Sequence, residues 1–79
     1  MKVSLLGIRR VFINGEYIRL DALLKFAAEA SSGGEAKAII QEGLVFVGGE
    51  QITKRGRKIK PGDVVRCSDR ILLVKRLSV

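Results

Sequence analysis

Apolar residues recur along this chain with two different periods, and the changes of period mark out its elements. Leu20, Leu23, Leu24 and Ala27 follow the i, i+3, i+4, i+7 spacing of a single helix face. Asp21 stands where a short acidic side chain can cap such a helix, which is expected to end near Ala30. Lys25 and Glu29 lie off the stripe, four apart, on the expected water side. Ala36, Ile39 and Ile40 give a second helical face after Ser32. Ser32 and Glu35 have capping-box spacing, in which each side chain takes a backbone N–H of the other residue. Gly43 marks the end of this helix, where a left-handed residue is cheap only for glycine. So short a connection makes the two helices packed neighbours.

Strand signals flank the helices. Val11-Phe12-Ile13 runs into Asn14-Gly15, a hairpin signal, with Glu16 to Leu20 expected as the returning strand. Tyr17 and Arg19 then face one side, and Ile18 and Leu20 the other. Leu44 to Val47 is a partly β-branched apolar run that meets Gly48-Gly49, after which Glu50 to Lys54 returns. Val45-Phe46-Val47-Gly48-Gly49-Glu50 echoes Val11-Phe12-Ile13-Asn14-Gly15-Glu16, which fits two hairpins with the same turn requirement. Pro61-Gly62-Asp63 is a turn by composition. Val64 to Ser68 and Ile71 to Leu77 read as a closing pair of strands around Asp69-Arg70. These elements make one α+β domain over residues 1–79. Leu20, Leu23, Leu24, Ala27, Ala36, Ile39, Ile40, Val45 and Val47 are its expected core.

Charge narrows the function. The 79 residues carry 15 Lys and Arg against 8 Asp and Glu, a formal net charge of +7. That balance favours an anionic partner, nucleic acid first and acidic lipid second. The chain has no histidine, which removes the usual general base and the commonest metal ligand. Its one cysteine, Cys67, sits among Val64, Val65, Ile71 and Leu72 and reads as a small buried hydrophobe. A single thiol fits a reducing compartment, and a cytoplasmic location is expected. Val3 to Ile8 is too short for a signal-peptide core, and no stretch reaches membrane-spanning length. Glu35 is explained by the capping box and Asp63 by the turn. No G-x-x-x-x-G-K-[ST] spacing occurs. No catalytic residue, metal, cofactor or small-molecule substrate is therefore expected.

Two places concentrate candidate anion chemistry. Lys54-Arg55-Gly56-Arg57-Lys58-Ile59-Lys60 holds five basic residues in seven positions, with Gly56 free to bend so that Arg55 and Arg57 need not point oppositely. Arginine forks suit phosphate. The second place is the start of the second helix. There Ser32, Gly33 and Gly34 let a phosphate approach free backbone N–H groups, and Lys37 adds a full charge. The aromatics are Phe12, Tyr17, Phe26 and Phe46. Three of the four sit in apolar runs or in the first helix and are expected in the core. That argues against a base-stacking surface and for recognition of the backbone and shape of structured RNA.

The ordered set Arg19-Leu20-Asp21-Ala22-Leu23-Leu24, Ser32-Gly33-Gly34-Glu35-Ala36-Lys37, Val45-Phe46-Val47-Gly48-Gly49-Glu50 and Ile59-Lys60-Pro61-Gly62-Asp63-Val64-Val65 resembles the S-four-type RNA-binding domain, in particular its small stand-alone bacterial members. The resemblance spans Arg19 to Val65. It implies two helices on a small, mainly antiparallel twisted sheet, with RNA bound by the helix face and the following basic loop. Many members carry arginine where this chain has Gly33, and asparagine where it has Gly48. The first difference leaves backbone N–H groups and Lys37 in place of a side-chain contact.

On this reading Lys54, Arg55, Arg57 and Lys58 grip phosphates from the loop. Arg19, Lys25 and Lys37 contribute from the helical side. The partner is ribosomal or transfer RNA, with the ribosome as a further one. Two rivals remain. The Asn-Gly-Glu turn, the L-x-x-L-L helix and the late Pro-Gly-Asp-Val-Val also resemble β-grasp sulfur carriers, but the sequence closes on Leu77-Ser78-Val79 without their Gly-Gly. A module that docks its basic patch on an acidic protein, on or off the ribosome, is the other.

Overall fold

The computed structural model describes residues 7–77. Most of the Val3–Ile8 run and the last two residues lie outside them. Nine elements follow in order: β1 (Ile8–Ile13), β2 (Ile18–Arg19), α1 (Leu20–Phe26), α2 (Gly33–Gln41), β3 (Val45–Val47), β4 (Glu50–Gln51), β5 (Lys58–Ile59), β6 (Val64–Cys67) and β7 (Arg70–Arg76). Five strands form a sheet in the order β1-β7-β6-β3-β4, and β2 and β5 make a separate two-stranded ribbon. Every pairing is antiparallel except β1 with β7, so the fold is α+β with a mixed, mostly antiparallel sheet.

Alternation along the strands sends one side chain of each pair to the core. Val11, Ile13, Val45, Val47, Val65, Cys67, Leu72 and Val74 are buried on one sheet face, in one cluster with Leu20, Leu23, Leu24, Ala27, Ala36 and Ile40 of the helical side. The expected core is present, with Ile39 half-buried against it. Burial also pushes the Cys67 thiol above its ordinary range; Glu29 adds to this and Arg70 opposes it. The thiol is thus packed and protonated rather than nucleophilic.

The first expected hairpin does not form. β1 pairs in parallel with β7, from Ile8 opposite Ile71 to Ile13 opposite Arg76. The segment after Gly15 leaves the sheet, and only Ile18 and Arg19 are extended, opposite Ile59 and Lys58. The reason is burial. β7 offers Leu72 and Val74 beside Val11 and Ile13 over a long register, which a two-residue strand cannot match. The echo at Val45 to Glu50 is the hairpin that does form, with Gly48 and Gly49 both at positive φ. Its returning strand stops at Gln51 rather than Lys54.

Both helices differ from expectation at their ends. Asp21 is not the cap of α1. Arg19 occupies that position without a side-chain capping bond to the helix N–H groups, and Asp21 lies in the first turn. α1 stops at Phe26, before Ala30, because Ala28 turns left-handed at φ 61°. The Glu29 N–H then reaches Leu24 O at 2.8 Å and the Ala28 N–H reaches Lys25 O at 3.1 Å, the paired bonds of a Schellman closure. α2 closes the same way, with Gly43 at φ 80°. Because α1 ends early, Glu29 is not on a wet helix face. Its side chain is only 9% exposed and lies between Arg70 at 3.6 Å and Arg9 at 3.8 Å.

The left-handed alanine yields a test. Ala28→Gly relieves a strained conformation worth about 1–2 kcal/mol, partly offset by the greater freedom of glycine in the unfolded chain. Chemical unfolding should report a net gain of about 0.5–1 kcal/mol.

Candidate nucleic-acid interface

The basic loop is built around the start of α1. The first N–H groups of a helix have no partner within it. Here the Leu20 N–H donates to Arg57 O at 2.8 Å and the Asp21 N–H donates to Arg55 O at 3.1 Å. The loop itself is a turn closed by the Arg57 N–H on Lys54 O at 3.1 Å. Gly56 does not need positive φ for this bend, and a Cβ there would meet the Arg19 guanidinium at an ordinary 3.7 Å. Since the loop is held by its carbonyls, its side chains stay outside. Lys54, Arg55, Arg57 and Lys58 are all exposed.

Asp21 organises the arginines. Its carboxylate receives Arg19 through two contacts of 3.2 Å and lies 3.7 Å from Arg55. Its Oδ1 also accepts the Ala22 N–H at 2.8 Å. The ribbon extends the same charge. Ile18 faces inward and Ile59 is buried, so Tyr17, Arg19, Lys58 and Lys60 take the exposed side. Lys58 Nζ lies 4.8 Å from the Tyr17 ring centre. A shallow groove of about 470 Å³ runs alongside, lined by Glu50, Gln51, Thr53, Lys54, Gly56 and Arg57.

Of the residues singled out in the sequence, Arg19, Lys54, Arg55, Arg57 and Lys58 are thus brought together. The start of α2 forms a second group. Ser32 caps the helix by accepting the Glu35 N–H at 3.1 Å. The reciprocal half of the box is shifted by one residue, because Glu35 Oε1 accepts from the Ser31 N–H at 2.7 Å. Glu35 thus closes the preceding turn as well as the helix. Gly33 has open space where a Cβ would stand, and the nearest atom to one at Gly34 is the Ser32 hydroxyl at 3.9 Å. Lys37 is exposed on α2 and Lys25 is exposed in the last turn of α1.

The expectation that most aromatics are in the core is overturned. Phe12, Tyr17 and Phe26 are exposed, and Phe46 is half-buried under Arg66, whose guanidinium carbon stands 4.5 Å from the ring centre. An apolar run marks a strand but not which of its faces is covered. Phe12 and Phe46 fall on the outer sheet face, opposite in register to the buried Val11 and Val47. Sequence reasoning counted Lys60 in the basic run but did not place it on the exposed side of the ribbon with Arg19 and Lys58. The signal for it was a pair of polar-apolar-polar triplets, Tyr17-Ile18-Arg19 and Lys58-Ile59-Lys60, far apart in the chain.

A small α+β domain that gathers cations on one ribbon, one turn and two helices is a module for binding a polyanion. Comparison with known proteins fixes its kind. The S4 domain family matches residues 11–75, and the chain belongs to that family. The match is wider than the Arg19–Val65 span of the motifs, because it takes in the second half of β1 and nearly all of β7. A probable ribosome maturation protein RlbA of Bacillus subtilis is 44% identical over 55 residues, covering 70% of this chain and 78% of that one. An uncharacterized RNA pseudouridine synthase of Aquifex aeolicus is 40% identical over 53 residues, covering 67% of this chain but only 17% of the other protein. The β-grasp sulfur-carrier reading finds no support in these relatives. No helix among the described residues is long and apolar enough to cross a membrane.

The role of Asp21 can be tested directly. Asp21→Asn keeps an acceptor for the Ala22 N–H but removes both ion pairs. Because the arginines are half exposed, the stability cost should stay below about 1 kcal/mol. The cost should shrink as salt is raised, checked by urea unfolding at low and high ionic strength.

Proposed function

We propose that this S4 domain binds structured RNA, ribosomal or transfer RNA, as a binding module without catalytic activity of its own. The single observation that carries this reading is the assembly of Arg19, Arg55, Arg57 and Lys58 at the α1 start, with the loop anchored by its backbone so that all four side chains stay exposed, Arg19 and Arg55 held beside Asp21. Lys54 and Lys60 widen the contact, and Lys25, Lys37 and the Gly33-Gly34 backbone supply the helical side. The names of the relatives support it. One is called a ribosome maturation protein. The other is called an RNA pseudouridine synthase, and its match to this chain is confined to a small part of its length. We read the chain as one RNA-binding domain working in the cytoplasm, on or near the ribosome, with no cofactor.

Two measurements test it. Each phosphate contact contributes roughly 0.7 to 0.9 to the slope of log affinity against log salt. Replacing Arg55 and Arg57 together by alanine should therefore flatten that slope by about 1.4 to 1.8. Different folded RNAs should lose affinity by similar factors, because phosphate contacts position and do not specify. The melting temperature should hardly move, since the loop carbonyls that cap α1 are backbone atoms. An unchanged slope with an unchanged melt would reduce the basic loop to a solvated surface.

Gly33 offers the second. Its φ is ordinary and its surroundings are open, so Gly33→Ala should fold normally and gain up to about 1 kcal/mol in helix propensity. If phosphate approaches the helix backbone there, the added methyl group should cost several-fold in affinity for folded RNA. Equal affinity in a filter-binding assay would move the contact to Lys37 alone.

A further inference from the structure

The aromatic side chains of this chain are few, and three of the four are exposed near one another. Phe12 is 48%, Tyr17 50% and Phe26 63% exposed, and all three line a depression of about 250 Å³ with Leu77, itself 48% exposed. They arrive from different elements: the outer face of β1, the start of the ribbon and the last residue of α1. Around Phe26 the helix buries Leu23, Leu24 and Ala27, so the ring is turned away from a core that takes its neighbours. Among the described residues its polar side-chain groups are the amide of Asn14 and the hydroxyl of Tyr17, and no carboxylate of those residues lines it.

Cations surround it. Lys58 lies against the Tyr17 ring, Lys60 follows Ile59, the register partner of Ile18, and Lys75 is the register partner of Phe12. A second copy of the chain, also at +7, is a poor occupant by charge. Flat apolar faces with one amide and a cationic rim suit a different guest. Unpaired nucleobases stack on aromatic rings, hydrogen-bond along their edges and bring a phosphate with them. The depression is also continuous with the basic ribbon, since Tyr17, Arg19 and Lys58 share one exposed side.

We infer that Phe12, Tyr17 and Phe26 form a stacking site for an unpaired base of the bound RNA, with Asn14 offered to its edge and Lys58 and Lys60 to its phosphates. This rests on the RNA-binding reading and deepens it. The basic loop holds the backbone of a folded RNA, and the aromatic site holds a base that the fold leaves unpaired. The chain therefore selects RNAs with an unpaired base near a helix over uninterrupted duplex.

The test compares two probes at fixed salt: a hairpin RNA with a loop of unpaired uridines, and a blunt duplex of the same stem. Wild-type protein should bind the hairpin more tightly. Phe26→Leu keeps an exposed apolar side chain but removes the ring. It should weaken hairpin binding by roughly 5- to 100-fold while leaving duplex binding unchanged. Phe26→Trp should restore the preference. Tyr17 is the only tyrosine in a chain without tryptophan, so its emission reports this site alone; the hairpin should quench it more than the duplex does. Unchanged hairpin affinity in Phe26→Leu, or equal loss on both probes, would overturn the base site, the first result leaving the cluster as a surface for apolar protein side chains. Duplex binding would then still stand as evidence for the RNA reading. If wild-type protein binds neither probe, that reading fails and the base site with it.

Discussion

The hydrogen bonds from the Leu20 and Asp21 N–H groups to Arg57 O and Arg55 O tie the basic loop to the start of α1. A helix of seven residues is too short to be stable alone and begins with unpartnered donors. A loop rich in like charges is equally poor at ordering itself. Each solves the other's problem. The carbonyls of the loop take the donors of the helix, and the positive end of the helix is satisfied by backbone rather than by an external anion. The loop is held without its arginine side chains, which stay on the surface. Asp21 then gathers Arg19 and Arg55 without burying either.

The same division of labour extends to the acids. Asp21 holds arginines, Glu29 sits between Arg9 and Arg70, Glu35 closes the turn before α2, and Asp63 Oδ2 accepts the Lys60 N–H at 2.8 Å. Half of the eight carboxylates are thereby committed to internal structure. Asp21 and Glu29 offset part of the charge of the arginines they hold, while Lys54, Arg57, Lys58 and Lys60 stand exposed on the loop and ribbon.

Much of this was legible in the sequence, for identifiable reasons. The helical stripe from Leu20 to Ala27, the Ser32 cap, the glycine ends at Gly43 and Gly48-Gly49, and the turn at Asp63 are local signals, and each is where the residues place it. The basic run was legible as a cluster because its members are neighbours in the chain. What failed was non-local. Asn14-Gly15 carries the hairpin signal, yet the partner of β1 comes from the other end of the sequence. Ala28 gives no sign that it will turn left-handed and end α1 early. Phe12 and Phe26 are apolar and fall within strand and helix patterns, and only the assembled sheet decides which of their faces remains uncovered.

The parallel pairing of β1 with β7 has a consequence for how the chain acquires its structure during synthesis. Helices α1 and α2, the β3–β4 hairpin and the ribbon join segments in the middle of the chain, while β1 emerges first and must wait for the last strand. Closing so long a loop is the slow, entropically costly step. On the ribosome, Val11 and Ile13 stay without their strand partner until β7 clears the exit tunnel. The contacts between the basic loop and the start of α1 join residues nearer in the chain, so they can form before the sheet closes, which then buries the inner face of α1.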